Sequence, residues 1–178
     1  MEVDPPDLSR PDRARAWVLA LRNRFKTIVL GTASPAGEPD ASVAGAVLAS
    51  DGSFHIYVSG LAVHTRHLLA TGRASVLLAE DESAAAQPLA RRRLTFSCTA
   101  EPVARGTAAY VAALPALREK LGPAFDLLVN LGDFQLIRLV PRRGRLVAGF
   151  GETYDLDPQD WSKLTPPAFP GGGRPRAS

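Results

Sequence analysis

The chain has 178 residues, 46% of them hydrophobic, which suffices for one substantial core and not for two independent domains. Its 21 basic and 18 acidic residues leave a formal charge of +3, without the basic excess of a dedicated nucleic-acid binder. A single cysteine, Cys98, excludes an internal disulfide and a cysteine-based zinc cluster, and no apolar run approaches the roughly 20 residues of a membrane span, so a cytoplasmic protein is expected.

Residues 1–8 are acidic and Pro-rich and read as a disordered leader. Ser9, Pro11 and Asp12 form a helix-start signature, after which Ala14, Trp17, Val18, Leu21 and Phe25 recur at the spacing of one helical face. From Lys26 the pattern becomes short β-rich runs: TIVLGTA (27–33), ASVAGAVLA (41–49) and SFHIYV (53–58), the last two joined by a Ser50-Asp51-Gly52 hairpin turn. Helical spacing returns over 61–71, with Gly72 where a C-terminal cap belongs, followed by the strand RASVLLA (73–79). Residues 80–90 contain Pro88 and no amphipathic period, and read as a surface loop.

The clearest strand is 92–103, where Leu94, Phe96, Cys98 and Ala100 alternate with Thr95, Ser97, Thr99 and Glu101. Two helices meeting near Pro115 are expected over 106–130, because proline removes a helical hydrogen bond. Two last strands, DFQLIRLV and RLVAGFG, are expected on either side of a Pro141-Arg-Arg-Gly144 turn. The fold class is mainly β (α+β): a six- to seven-stranded antiparallel split barrel with flanking helices. The barrel domain should occupy residues 9–160, with a Pro/Gly-rich flexible tail over 161–178.

Two places could hold an anion. Where the strand ending at Ser59 and Gly60 turns into the next helix, unpaired N–H groups and the positive end of the helix dipole suit a phosphate, with Ser59, His64, Thr65 and Arg66 as side-chain donors. The alternative is that Ser59 merely caps the helix. Arg91, Arg92 and Arg93 stand at the mouth of the long strand, where one of them could clamp a phosphate or propionate through its planar fork, or the triplet could be a solvated edge. His64 and His67 lie three apart without a third ligand near them in sequence, so no metal site is expected. Neither a Gly-rich nucleotide fingerprint nor a nucleophile elbow is present, and Cys98 falls on an apolar strand face.

Taken together, GTASPAGEPDAS (31–42), FHIYVSGLAVHTRHLLATGRASVLLAEDESAAAQPLARRRLTF (54–96) and GDFQLIRLVPRRGRLVAGFG (132–151) resemble the pyridoxamine 5'-phosphate oxidase-like superfamily, and more narrowly its haem-utilisation branch. The resemblance implies a homodimer with two cofactor sites at the subunit interface. FMN would be held by Tyr57, Val58, Ser59, His64 and Thr65, its ring along the second strand near Ser42, and Arg92 would reach in from the partner. It implies an FMN-dependent oxidoreductase of unknown substrate. Two features separate this chain from B6-vitamer oxidases and haem-degrading members. Ser42 stands near a position where the oxidases carry arginine, and no histidine follows His67, where haem-degrading members place an iron ligand in the tail. Asp133 matches the acidic residue that assists that ligand. The alternatives are haem, with His64, Arg92 and Asp133 around it, the deazaflavin F420, or a non-catalytic dimeric binding domain.

Overall fold

The computed structural model describes residues 9–167, so the expected leader and most of the expected tail lie outside the described residues. Eight strands and four helices follow one another: α1 (Arg10–Arg24), β1 (Thr27–Ala33), β2 (Pro39–Leu48), β3 (Phe54–Ser59), α2 (Val63–Thr71), β4 (Arg73–Ala79), β5 (Arg93–Val103), α3 (Ala108–Leu121), α4 (Ala124–Val129), β6 (Phe134–Gly149), β7 (Glu152–Leu156) and β8 (Leu164–Thr165). Two short 3-10 turns, Glu82–Ala84 and Pro88–Ala90, interrupt the 80–90 loop.

All pairings are antiparallel. Six strands, in the order β3-β2-β1-β4-β5-β6, close into a barrel when β6 pairs back with β3, and β7 and β8 extend from the second half of β6. The expected split-barrel fold is therefore present. β2 and β3 pair only where Ala46, Val47 and Leu48 face Ile56, His55 and Phe54, so the two strands part beyond Ile56. Inward-facing Ile28, Leu30, Ala46, Phe54, Ile56, Val76, Leu94, Phe96, Ile137 and Leu139 fill the barrel, as period-two alternation requires. α1 adds Ala14 and Val18 to that core, and α2 adds Leu68. A second cluster lies outside the barrel, where α3 and α4 bury Val47, Tyr57 and Leu136 with Tyr110, Leu117 and Phe125.

Three expectations need correction. Residues 133–151 are not two strands around a turn: β6 runs through Pro141 without stopping. Pro141 is tolerated because β6 changes its neighbour there, from β3, which it leaves at Leu139, to β7, which it meets at Gly144, while a bulge opens opposite Ser97 and Cys98. Nor does Pro115 divide two helices. α3 continues across it because Tyr110, Ala113 and Leu117 are buried on one face, and the break comes at Gly122, whose φ of 75° ends the helix. Finally, Trp161, placed in the tail by composition, is 1% exposed and stacks on Phe96 with ring centroids 5.0 Å apart.

Candidate functional site

The turn after β3 is built mostly from its own side chains. Ser59 does not cap α2: its hydroxyl donates to Oδ2 of Asp133 and accepts from the N–H of Leu61 at 3.1 Å, while the N–H of Gly60 donates to the carbonyl of Asp133 at 2.7 Å. The helix cap is Ala62, which offers no side-chain acceptor, so the first N–H groups of α2 keep the anion-binding character expected of an uncapped end. C-terminally, Gly72 adopts the left-handed conformation with φ of 64°, as its position in the sequence suggested.

α2 closes one end of the barrel. His67 Nδ1 lies 3.2 Å from the Thr32 hydroxyl of β1, and Thr65 and Leu68 are buried beneath the helix. Two hydroxyls in this region, Thr65 Oγ1 and Ser42 Oγ, are buried without a hydrogen-bond partner among the described residues. His64 is half-buried; burial lowers its pKa, partly offset by the nearby Asp40 carboxylate, so the imidazole is neutral at pH 7. Tyr57 and Val58 do not present side chains at the turn. Val58 points into the barrel core, and Tyr57 is buried under α3, its hydroxyl 3.2 Å from that of Tyr110 and accepting from Arg105 at 3.3 Å. Burial and the Tyr110 hydroxyl push the Tyr57 pKa up to about 12.

Arg92 lies elsewhere. Ser59 pairs with Phe134 at one end of β6 and Arg93 with Val147 near the other. At about 3.3 Å per residue those points are on the order of 40 Å apart along the strand. Arg92 therefore does not meet the Ser59–Thr65 turn within one protomer. It lines a cleft of about 1260 Å³ between α1, the 80–90 loop and the β6–β7 hairpin, together with Arg10, Trp17, Glu80 and Glu152. Its guanidinium lies 5.4 Å from the centre of the Trp17 ring and is bonded to Glu80. Arg91 instead donates to the Glu80 carbonyl and to Glu82, and Arg93 to the carbonyl of Arg91. Of the triplet, Arg92 alone combines a ring stack with a place in that cleft.

Trp17 and Glu80 escaped the sequence reading, which put the first on a core-facing stripe and the second in a loop. The signal was the ladder: once Ala79 is opposite Arg93, Glu80 must be opposite Arg92. Among the described residues no group of three or more His, Cys, Asp or Glu side chains could hold a metal ion, and no helix is long and apolar enough to cross a membrane.

This six-stranded barrel, with α2 packed against it and the arginines at the start of β5, defines a split-barrel protein. Residues 15–148 match the family model described as pyridoxamine 5'-phosphate oxidase, and the chain belongs to that family, in its haem-utilisation branch. Over 148 residues it is 36% identical to the haem oxygenase HutZ of Vibrio cholerae, covering 83% of this chain and 84% of HutZ. A crystal structure of HutZ, described there as a haem storage protein, superposes with a TM-score of 0.68 at 33% identity, over 71% of this chain and 89% of that one. The structure of a haem-binding protein from Mycobacterium smegmatis superposes at 0.71 with 27% identity, over 87% of this chain and 60% of that one.

Proposed function

We propose that this chain is a cytoplasmic haem-binding protein that works as a homodimer, with a haem carboxylate held at Arg92. The observation that carries the reading is a half-buried arginine stacked on Trp17 in a cleft large enough for a flat ligand. The haem associations of its relatives point the same way and favour haem over the FMN that the sequence suggested.

The residues fit the two halves of haem unequally. Its carboxylates suit Arg92, whose planar fork matches them. For the iron the chain offers His64, a neutral half-buried imidazole with no hydrogen bond to another described side chain, and no histidine beyond His67. Asp133 is bonded to Ser59 rather than to an imidazole, so it is not poised to support an iron ligand. The proposed function is haem binding, which is what Arg92 and His64 support. Haem would supply redox chemistry at its iron, while the protein orients it and excludes water.

A second copy supplies what one protomer lacks, since Arg92 and His64 belong to opposite ends of the barrel. The outer barrel face is suited to that copy. Val43, Val29, Leu77 and Thr95 form one row across four strands, and Ala41, Gly31, Ser75 and Ser97 form the next, with no charge among them. Neither a nucleic acid nor a membrane is part of the proposal.

Titrating haemin into the purified protein should give a shifted Soret band that saturates. His64→Ala should move that band, and Arg92→Ala should weaken affinity by about tenfold, the scale of one charge-assisted contact. A spectrum indistinguishable from free haemin throughout would overturn the reading. The uncapped start of α2 favours a second reading, in which the phosphate of FMN binds there. Flavin absorbance released from the purified protein by heat would select it.

A further inference from the structure

Arg92 is held by one carboxylate among the described residues. Its Nε and Nη2 both donate to Oε1 of Glu80, the former at 3.1 Å, and its backbone N–H donates to Oε2 at 3.2 Å. In return, the N–H of Glu80 donates to the Arg92 carbonyl at 2.8 Å. The pair thus adds a rung to the β4–β5 ladder beyond Ala79 and Arg93, and the sheet sets its backbone geometry. Both side chains are shielded, Glu80 being 10% and Arg92 29% exposed. Burial pushes the Glu80 carboxyl up, but the Arg92 donors together outweigh it, and the group is held below its usual range and stays ionised.

A guanidinium has two edges that can take a planar carboxylate: the side edge, Nε with Nη2, and the outer edge, Nη1 with Nη2. Glu80 occupies the side edge. Trp17 lies over one face. The outer edge is what Arg92 still offers, and the side chain lines the cleft. Without Glu80, the long arginine stem would be free to rotate and that edge would lose its aim.

We infer that Glu80 is a positioning residue, which fixes Arg92 by its side edge so that the outer edge receives a ligand carboxylate at two points. The inference rests on the proposed haem reading, in which the carboxylates are the propionates. It adds a selectivity. Because Glu80 neutralises the arginine, an incoming group is favoured by matched hydrogen bonds more than by net charge, so a free planar carboxylate is taken and its ester is refused.

The test compares two metal-free probes, mesoporphyrin IX with its two free carboxylates and the dimethyl ester of the same ring, in one dilute detergent, with binding followed by fluorescence. Glu80→Ala should weaken binding of the free acid by about tenfold and leave the ester unchanged, and the loss should vanish in an Arg92→Ala background. Glu80→Gln, which keeps one acceptor for Nε and Nη2 but loses the partner of the Arg92 N–H, should fall between wild type and Ala; it carries the test should the alanine variant fail to fold. Equal loss for acid and ester means that Glu80 only supports the fold, and unchanged or tighter acid binding means that it competes with the ligand. Either result overturns the inference. Failure of the haem reading is seen separately, as wild-type protein that leaves the haemin Soret band unmoved.

Discussion

Asp51 shows how much a single side chain in this protein is asked to hold. In the β2–β3 turn its Oδ1 accepts from the hydroxyl and N–H of Ser53, and its Oδ2 accepts from Arg138 of β6, which also bonds Glu101 of β5. These bonds, Ser53 first, hold its pKa well below the usual carboxylate range against the opposing effect of burial. A depressed carboxylate stabilises the fold fully above about pH 4, and that contribution is lost as pH falls through the lower native pKa. Asp51 is 48% and Arg138 33% exposed, so solvent screening keeps the effect small. Asp51→Asn should cost about 0.5–1 kcal/mol at pH 7, and the gap to wild type should narrow in strong acid. Urea unfolding at both pH values measures it; a gap that stays constant would mean that the charge of Asp51 is not its source. At this scale residue types were legible while their partners were not. Ser59 has the hydroxyl expected of a cap or a phosphate donor, yet it is engaged by Asp133, 74 residues further on. No local pattern announces that bond.

Among the elements, β6 diverges most from its sequence pattern, since proline and glycine three residues apart mark a turn almost anywhere else. Here Pro141 marks a change of neighbour, and Gly144 marks a close approach. A Cβ at Gly144 would lie 2.8 Å from the Leu156 carbonyl oxygen and 3.0 Å from a ring carbon of Phe96. The first contact is backbone, so it can be relieved only by moving β7. Gly144→Ala should therefore destabilise the protein by about 1–3 kcal/mol, the cost of overpacking, as a lower midpoint in thermal or urea unfolding. An unchanged midpoint would show that β7 yields without penalty. By contrast, β1 and β4 have the bounds that their sequence patterns predict, and β5 has them to within one residue, because a half-buried strand writes its two faces into alternate residues. The helix breaks at Gly122 and not at Pro115 because burial of Tyr110, Ala113 and Leu117 outweighs one missing hydrogen bond, and burial is not a local property.

For the whole molecule, the proposed dimer concentrates on one face. Val43 is 65% exposed and Val29 40% in an uncharged row of the sheet, where a lone protomer would leave apolar surface in water. Val43→Asp would place a charge at the middle of the proposed contact. It should leave the monomer fold intact and shift sedimentation from dimer to monomer at micromolar concentration, a loss of at least about 2 kcal/mol of association. Wild type sedimenting as a monomer, or a variant that remains a dimer through this face, would contradict the assignment.

What the sequence by itself determined was the class of fold, most element positions and the kinship with the pyridoxamine 5'-phosphate oxidase-like split-barrel proteins. Alternation, helical spacing and turn residues are short-range signals, and motifs carry family membership directly. What only the tertiary structure decided was which side chains meet. It closed the barrel through β6 and β3, carried Trp161 into the core, buried the Tyr57 side chain against Tyr110 and set Glu80 against Arg92. Those outcomes depend on strand register and burial between residues distant along the chain, and neither is a property of any window short enough to read.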